Sequence, residues 1–293
     1  MSKVDIDRLQ TWIGRSEMRE DSLVAAPVDR LSATLDHPSS LAGPAGALLP
    51  CWHWLYFHSA EPNSGLGSDG HPERGGFLPP VPLPRRMWAG SRVTFLSPLM
   101  LGDVARKQST IIDIRQRHGG SGALVFVTLR HEIFVKDKLV IEEIQDLVYC
   151  DRDIARGKTV PAPGEAQWQR KLRPDSVMLF RYSALTFNSH RIHFDRNYAT
   201  AVEGYPSLIV QGPLTATLLL DLLYRRQPAV TLACFEFRAV APVLEGSDLT
   251  LQGRRDGELI TLWATDAHGS LTMEAQARVA VDQSRAADLI QPS

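Results

Sequence analysis

The feature that most constrains this chain is that it repeats itself. Near residue 98 it reads FLSPLMLGDV and near residue 242 AVAPVLEGSDL, so Pro98 and Gly102 map onto Pro242 and Gly246 at one offset of 144 residues. Further on, KLVIEE (138–143) matches SLTMEA (270–275) at an offset of 132, and a deletion of twelve residues (144 − 132) in the second copy reconciles the two. A 293-residue chain built this way is two copies of one domain, each of ordinary size.

Both copies read as antiparallel β-structure. LVFVTLRHEIFV alternates apolar and polar residues, as a strand with one wet face should. TLACFEFRAV, DLTLQGRR, ELITLWATDA and SLTMEAQARVAV are strands separated by turn signals such as Arg-Asp-Gly and Ala-His-Gly. One strong helix stands apart, GPLTATLLLDLLYRRQP: Pro213 suits its first turn, Arg225 and Arg226 complement the dipole at its end, and Pro228 stops it. Its wide leucine face predicts that it lies across the second sheet and is wrapped by it, with Asp221 on a polar edge. APVDRLSATLD is the expected counterpart in the first copy.

An irregular stretch, Ala42 to Arg86, is rich in proline and glycine but also holds Trp52, Trp54, Tyr56, Phe57 and Phe77. Disordered segments are poor in aromatics, so an ordered flap is expected. The literal GxGxxG of Gly65, Gly67 and Gly70 lacks strand–turn–helix context and reads as a loop. A second Pro/Gly stretch, ARGKTVPAPGEAQ, reads as a linker, giving a first domain over 1–151, a linker over 152–172 and a second domain over 173–293. The formal net charge of −1 gives no general reason to bind nucleic acid or anionic membrane. Cys51, Cys150 and Cys234 show no zinc-ligand spacing and read as free thiols. The charged N-terminus lacks a signal-peptide core, which predicts a cytoplasmic protein.

The segment between Ser183 and Leu214 is the richest in chemistry. It holds Asn188, His190, His193, Asp195, Glu203 and Tyr205, then Gln211 and Gly212 just before the helix. His190 and His193, at i and i+3, could ligate a metal with Asp195 or Glu203, or could form a general acid–base pair. Gly212 favours the second reading, because an unpaired N–H at a helix N-terminus suits a developing oxyanion; no metal is expected. His53, His58 and His131 lack partners at meaningful spacing and read as structural.

This stretch resembles the MaoC-like (R)-specific enoyl-CoA hydratases, whose motif Asp-x-Asn-Pro-Leu-His-x-Asp precedes a glycine opening a central helix. Here the matching positions are Asn188, His190, Arg191, Ile192, His193 and Asp195, with Gly212 at the helix start. The catalytic aspartate has become Asn188 and the motif asparagine His190. The variant FNxHRIHxD, with HWLYF and GHPERGGFLPPVPLPRRMWAG upstream, is similar to a subgroup containing mesaconyl-CoA hydratases and mitochondrial 3-hydroxyacyl thioester dehydratases. The resemblance implies an α+β double hotdog, two antiparallel sheets each wrapping a central helix, with a degenerate first copy.

It further implies reversible hydration of an α,β-unsaturated acyl-CoA, foremost a C5 dicarboxylic one such as mesaconyl- or itaconyl-CoA. No cofactor is needed beyond the CoA of the substrate, and a homodimer is left open. A 3-hydroxyacyl thioester dehydratase of fatty-acid synthesis and a non-catalytic thioester-binding hotdog pair are the competing readings. His193 is the expected proton-transfer group, Gly212 the oxyanion donor and Asn188 a group that orients water. Either His190 or Asp195 stands in for the missing aspartate, or His193 works alone. Arg191, and behind it Arg181 at the start of the preceding strand, are candidates to pair a second carboxylate; His190, Gln211 and Tyr205 complete the expected substrate contacts.

Overall fold

The computed structural model describes residues 4–37, 46–119, 122–151 and 160–280. In chain order, α1 (Ile6–Gln10), β1 (Ser16–Ser22) and α2 (Ala25–Thr34) lead into the irregular stretch. Four long strands follow: β2 (Arg85–Phe95), β3 (Val104–Gly119), β4 (Gly122–Val135) and β5 (Lys138–Cys150). The second half runs β6 (Trp168–Leu172), α3 (Ser176–Leu185), α4 (Gly212–Arg226), β7 (Leu232–Ala239), β8 (Leu249–Asp256), β9 (Leu259–Thr265) and β10 (Leu271–Val279).

The duplication is visible bond by bond. Leu96 and Ser97 both donate to the Val140 carbonyl, and Val240 and Ala241 both donate to that of Thr272, at the offsets of 144 and 132 read from the sequence. Gly102 donates to Leu23 O and Gly246 to Pro174 O, each glycine with φ in the left-handed region that other residues avoid (93° and 75°). The two sheets expected from sequence are, however, one. The strand order β1-β3-β4-β5-β2-β7-β10-β9-β8-β6 is a five-stranded order followed by its mirror, joined by antiparallel pairing of β2 with β7 from Gly90↔Arg238 to Thr94↔Cys234.

Two further expectations change. The first-half counterpart of α4 is not APVDRLSATLD. Helix α2 follows β1 as α3 follows β6, and α2 and α3 pack on each other. The position equivalent to α4 is fixed by matching bonds, Leu48 N–H to Leu99 O and Val210 N–H to Val243 O. Beyond it the described residues of the first half form no α-helix, but a short 3-10 turn, Trp52–Leu55, entered through Cys51 at φ 67°, and a second one, Asn63–Gly65. Second, the linker is shorter than expected, because Trp168–Leu172 is a strand paired with β8 and Pro161 bridges Ser270; residues 152–159 lie outside the described ones. Strand β4 keeps the wet face its alternation predicts. Val125, Val127, Leu129 and Ile133 are buried on one side, the first three in a second cluster capped by Leu9 of α1 and by Val81 and Leu83, while most residues of the other side, Arg130 among them, are only partly buried.

Helix α4 is buried along almost its whole length and contacts β2, β6, β8, β9 and β10, as its leucine face predicts. Asp221 is inside it, not on a polar edge. Its Oδ2 accepts from Arg225 Nε at 2.8 Å and from Arg170 of β6, and Arg225 also donates to the Leu35 carbonyl after α2. A buried carboxylate is tolerable only when so paired, and here the pairing ties α4 to the sheet and to the first half. No helix among the described residues is long and apolar enough to cross a membrane.

Gly90 makes the joining seam possible. A Cβ there would sit 2.3 Å from the Phe237 carbonyl oxygen, a backbone atom that cannot swing aside. Gly90→Ala should therefore lower the urea midpoint, at a cost of about 1–3 kcal/mol. Gly76→Ala, whose Cβ would meet nothing within 4 Å, is the control; equal midpoints for the two would show that the seam is not tight.

Candidate active site

The loop after α3 is organised by its own side chains. Asn188 accepts the His190 N–H on Oδ1 at 3.0 Å, an Asx turn that leaves its Nδ2 as the remaining donor. A 3-10 turn, Arg191–His193, follows. Asp195 accepts the Tyr198 N–H at 3.0 Å, capping the next turn, and takes two donors from Arg191. His193 is buried, and its Nδ1 lies 2.7 Å from the Ile209 carbonyl. A carbonyl can only accept, so Nδ1 carries the proton and Nε2 presents a bare lone pair. Burial pushes His193 down to about 4, with the Ile209 bond acting in the opposite direction.

Ile209 lies three residues before Gly212, so the histidine and the start of α4 are held by one short segment. Gln211, fully buried, donates from Nε2 to Leu179 O and Ser183 Oγ, both at 2.9 Å, pinning the helix entrance to α3. The Gly212 N–H, at the first turn of a 15-residue helix, has no acceptor among the described residues. Behind it runs β2, with the Trp88 carbonyl 3.6 Å from where a Gly212 Cβ would be. Trp88 is itself anchored: its Nε1 donates to Ser91 Oγ, and Ser91 donates to buried Glu143, which also accepts from His53 and Trp54. His53 thus has a partner, as does His131, set between Ser109 and Gln145.

The flap completes the site. The Arg191 N–H donates to Asp69 O at 2.9 Å, and Gly70 packs so closely that a Cβ would lie 1.9 Å from Ser189 O. This seam delivers Asp69 and His71 to the loop after α3. Asp69 Oδ2 lies 3.1 Å from His71 Nδ1; the His71 ring lies over that of His190 with centroids 4.0 Å apart, and His190 meets His193 edge-on at 5.3 Å. Burial, with the charge of Arg86 behind it, pushes His71 down to about 4 against the pull of Asp69. Burial and the two neighbouring rings push His190 down as well. Burial opposes ionisation of Asp69, but its hydrogen bonds to His71 hold it well below the usual carboxylate range. Ligating atoms of Asp69, His71 and His190 lie within 4.8 Å of one another, close enough to share a cation. Asp69 accepts on the Nδ1 side of His71, an arrangement that orients the imidazole and leaves its Nε2 as the remaining polar atom.

The expected residues divide accordingly. His190, His193 and Asn188 share one loop, while Gln211 and Gly212 form the helix entrance beside it. Tyr205 stacks under Arg85, which pairs with buried Glu203 at 2.8 Å. Arg191 is no carboxylate clamp: its donors go to Asp195 and Ser68 O, and its guanidinium covers Tyr198 at 4.3 Å. Arg181 is an exposed residue of helix α3 rather than part of a strand. Asp195 is a cap and ion-pair partner, engaged too fully to replace the missing aspartate. Sequence reading missed Asp69, His71 and Arg86. Half-buried Arg86 has no acid or hydrogen-bond partner among the described residues, yet its charge is felt at both His71 and His190. The signal lay in the same GxGxxG loop, where Asp69 and His71 flank the last glycine.

Residues 51–245 match the model of the hydroxyacyl-thioester dehydratase type 2 family. The chain belongs to this family. It is 44% identical over 271 residues to the mesaconyl-C(4)-CoA hydratase of Chloroflexus aurantiacus, spanning 90% of this chain and 95% of that one. It is 31% identical to the mitochondrial hydroxyacyl-thioester dehydratase type 2 of Schizosaccharomyces pombe, over 84% and 93% of the two chains. Among solved structures, a MaoC-like dehydratase superposes with a TM-score of 0.71 at 15% identity, covering 94% of this chain and all of that one. A Mycobacterium tuberculosis protein described as a double hotdog superposes at 0.51 and 15% identity, over 91% and 96% of the two chains. The double hotdog inferred from sequence is thus the fold, with its two sheets fused.

Three histidines, buried His193 and half-buried His71 and His131, are held near 4 in the fold, whereas unfolded they protonate near the ordinary value of about 6.5. Between those values the unfolded chain binds more protons, so stability should fall as pH is lowered from about 6.5 to about 4. Urea midpoints measured from pH 7 down to 4.5 should decline steadily; a midpoint that rises on acidification would mean these rings gain charge on folding.

Proposed function

We propose that this chain catalyses reversible hydration of an α,β-unsaturated acyl-CoA thioester, with a C5 dicarboxylic thioester such as mesaconyl- or itaconyl-CoA as substrate. The observation that carries the reaction is the pairing of a bare imidazole nitrogen on His193 with the unpaired Gly212 N–H. Adding water across the double bond needs a base for the water and a stabiliser for the charge that develops on the thioester oxygen. His193 Nε2 takes the proton as the water oxygen bonds to the β-carbon. The displaced π pair runs toward the thioester carbonyl, and the resulting enolate oxygen is held by Gly212 with the dipole of α4 behind it. Asn188 offers Nδ2 to position the water.

The dicarboxylic substrate is supported by the near identity in length and the 44% identity to the Chloroflexus hydratase, and by Arg86. A second carboxylate in a water-poor pocket must be paired, and Arg86, whose charge acts on His71 and His190, has no acid partner among the described residues. The family model and the fission-yeast relative favour, as second reading, dehydration of 3-hydroxyacyl thioesters. The same residues run that reaction in reverse.

Hydration of crotonyl-CoA, mesaconyl-CoA and a long-chain enoyl thioester tests both readings. Mesaconyl-CoA should give the highest kcat/KM; preference for the long chain would move the assignment to the dehydratase reading, and no turnover of any would end the hydratase assignment. His193→Ala should cost about 10²–10⁴ in rate with the fold intact. Arg86→Gln should lower kcat/KM for mesaconyl-CoA by roughly tenfold to a hundredfold, the worth of a charged hydrogen bond, and affect crotonyl-CoA much less. An equal loss on both would give Arg86 to the CoA moiety instead.

A further inference from the structure

We propose that Asp69 and His71, carried on the flap from the first half of the chain, are the acid–base unit that replaces the carboxylate missing at Asn188. The inference rests on the hydratase reading and adds a catalytic group to it. A hydration moves two protons: one leaves the water, and one arrives at the α-carbon. Among the described residues His193 has a single hydrogen bond, to a carbonyl, and no carboxylate acts on it, which suits a group that starts neutral and accepts. His71 has Asp69 on Nδ1, so its imidazolium forms a net-neutral ion pair and Nε2–H becomes a donor. His190 lies between them in contact with both rings and has no carboxylate of its own.

In hydration, His193 removes a proton from water while its oxygen bonds to the β-carbon. The C=C π pair shifts to the enolate, and as the enolate collapses its electron pair takes the Nε2 proton of His71 onto the α-carbon. One H and one OH are added, and His193 ends with the proton that His71 lost. The cycle closes when that proton passes back across His190 or exchanges with solvent. Dehydration uses the same groups with roles exchanged: His71 takes the α-proton and His193 protonates the departing hydroxyl.

The charges facing His71 are Asp69 on its own loop, Arg86 on β2, and His190 and His193 on the hydratase loop. Asp69 favours the imidazolium, whereas Arg86 and the two rings oppose it. A substrate carboxylate on Arg86 would remove the strongest opposing charge, so His71 takes up its proton as substrate binds.

The test compares wild type with His71→Gln and Asp69→Asn on a substrate the wild type turns over, so that absence of wild-type activity counts against the hydratase reading alone. His71→Gln should lower kcat by about 10²–10⁴ with KM within a few-fold and the melting temperature held. It should also remove the basic limb of the pH–rate profile, where the proton donor is lost, and leave the acidic limb. Asp69→Asn keeps the shape of the loop but removes the anion that favours the imidazolium, so its basic limb should move to lower pH. Activity of His71→Gln within a few-fold of wild type, or an Asp69→Asn profile that scales down without moving, would overturn the proposal. So would loss of wild-type activity to a chelator with recovery on adding a divalent cation, because the cluster would then serve a metal.

Discussion

The structure depends on one strand pairing, β2 against β7, which turns two duplicated sheets into a single ten-stranded one. Backbone hydrogen bonds in an antiparallel ladder fix register residue by residue, so this seam sets where every first-half side chain falls relative to the second half. Gly90 lets the two backbones approach without a clash. From that strand Trp88 backs the start of α4, Arg85 binds Glu203, and the charge of Arg86 acts on His71 and His190. The candidate site belongs to the second copy by its motif and to both copies by its walls.

Duplication followed by divergence explains the asymmetry. The second half keeps a 15-residue helix across its sheet, whereas the first half keeps only a four-residue 3-10 turn at the equivalent place. A sheet face cannot be left to water when it is lined by apolar residues. Trp52, Leu55, Tyr56 and Phe57 from the flap are buried where a helix would otherwise pack. Freed from helical geometry, the same stretch of chain extends far enough to lay Asp69 and His71 against the hydratase loop. Loss of one helix and gain of a second group of titratable residues are two sides of one change in the backbone.

Buried charge is placed with the same economy. Asp221, Glu203 and Glu143 are each buried, and each is met by at least one donor from another element: Arg170 beside Arg225 of its own helix, Arg85, and His53 with Trp54 and Ser91. Such pairs add little net stability but penalise any arrangement that breaks them. They therefore fix the orientation of α4, the hydratase loop and Trp88 against the sheet. Arg86 departs from this pattern, a half-buried cation with no acid or hydrogen-bond partner among the described residues, and its charge acts on the histidines of the candidate site.

What the sequence determined by itself was whatever depends on local order along the chain. The offsets of 144 and 132 reappear as equivalent hydrogen bonds, the leucine face of α4 is buried, and the spacing of His190, His193 and Gly212 marks the site. These signals survive because periodicity and turn chemistry are written within a few residues of each other. Tertiary structure decided what depends on partners far apart in sequence. It fused the sheets, buried Asp221, occupied Arg191 with Asp195, and brought Asp69 and His71 to a loop some 120 residues later. A side chain's role follows from the charge and volume opposite it, and in this chain the opposite residue comes from the other copy.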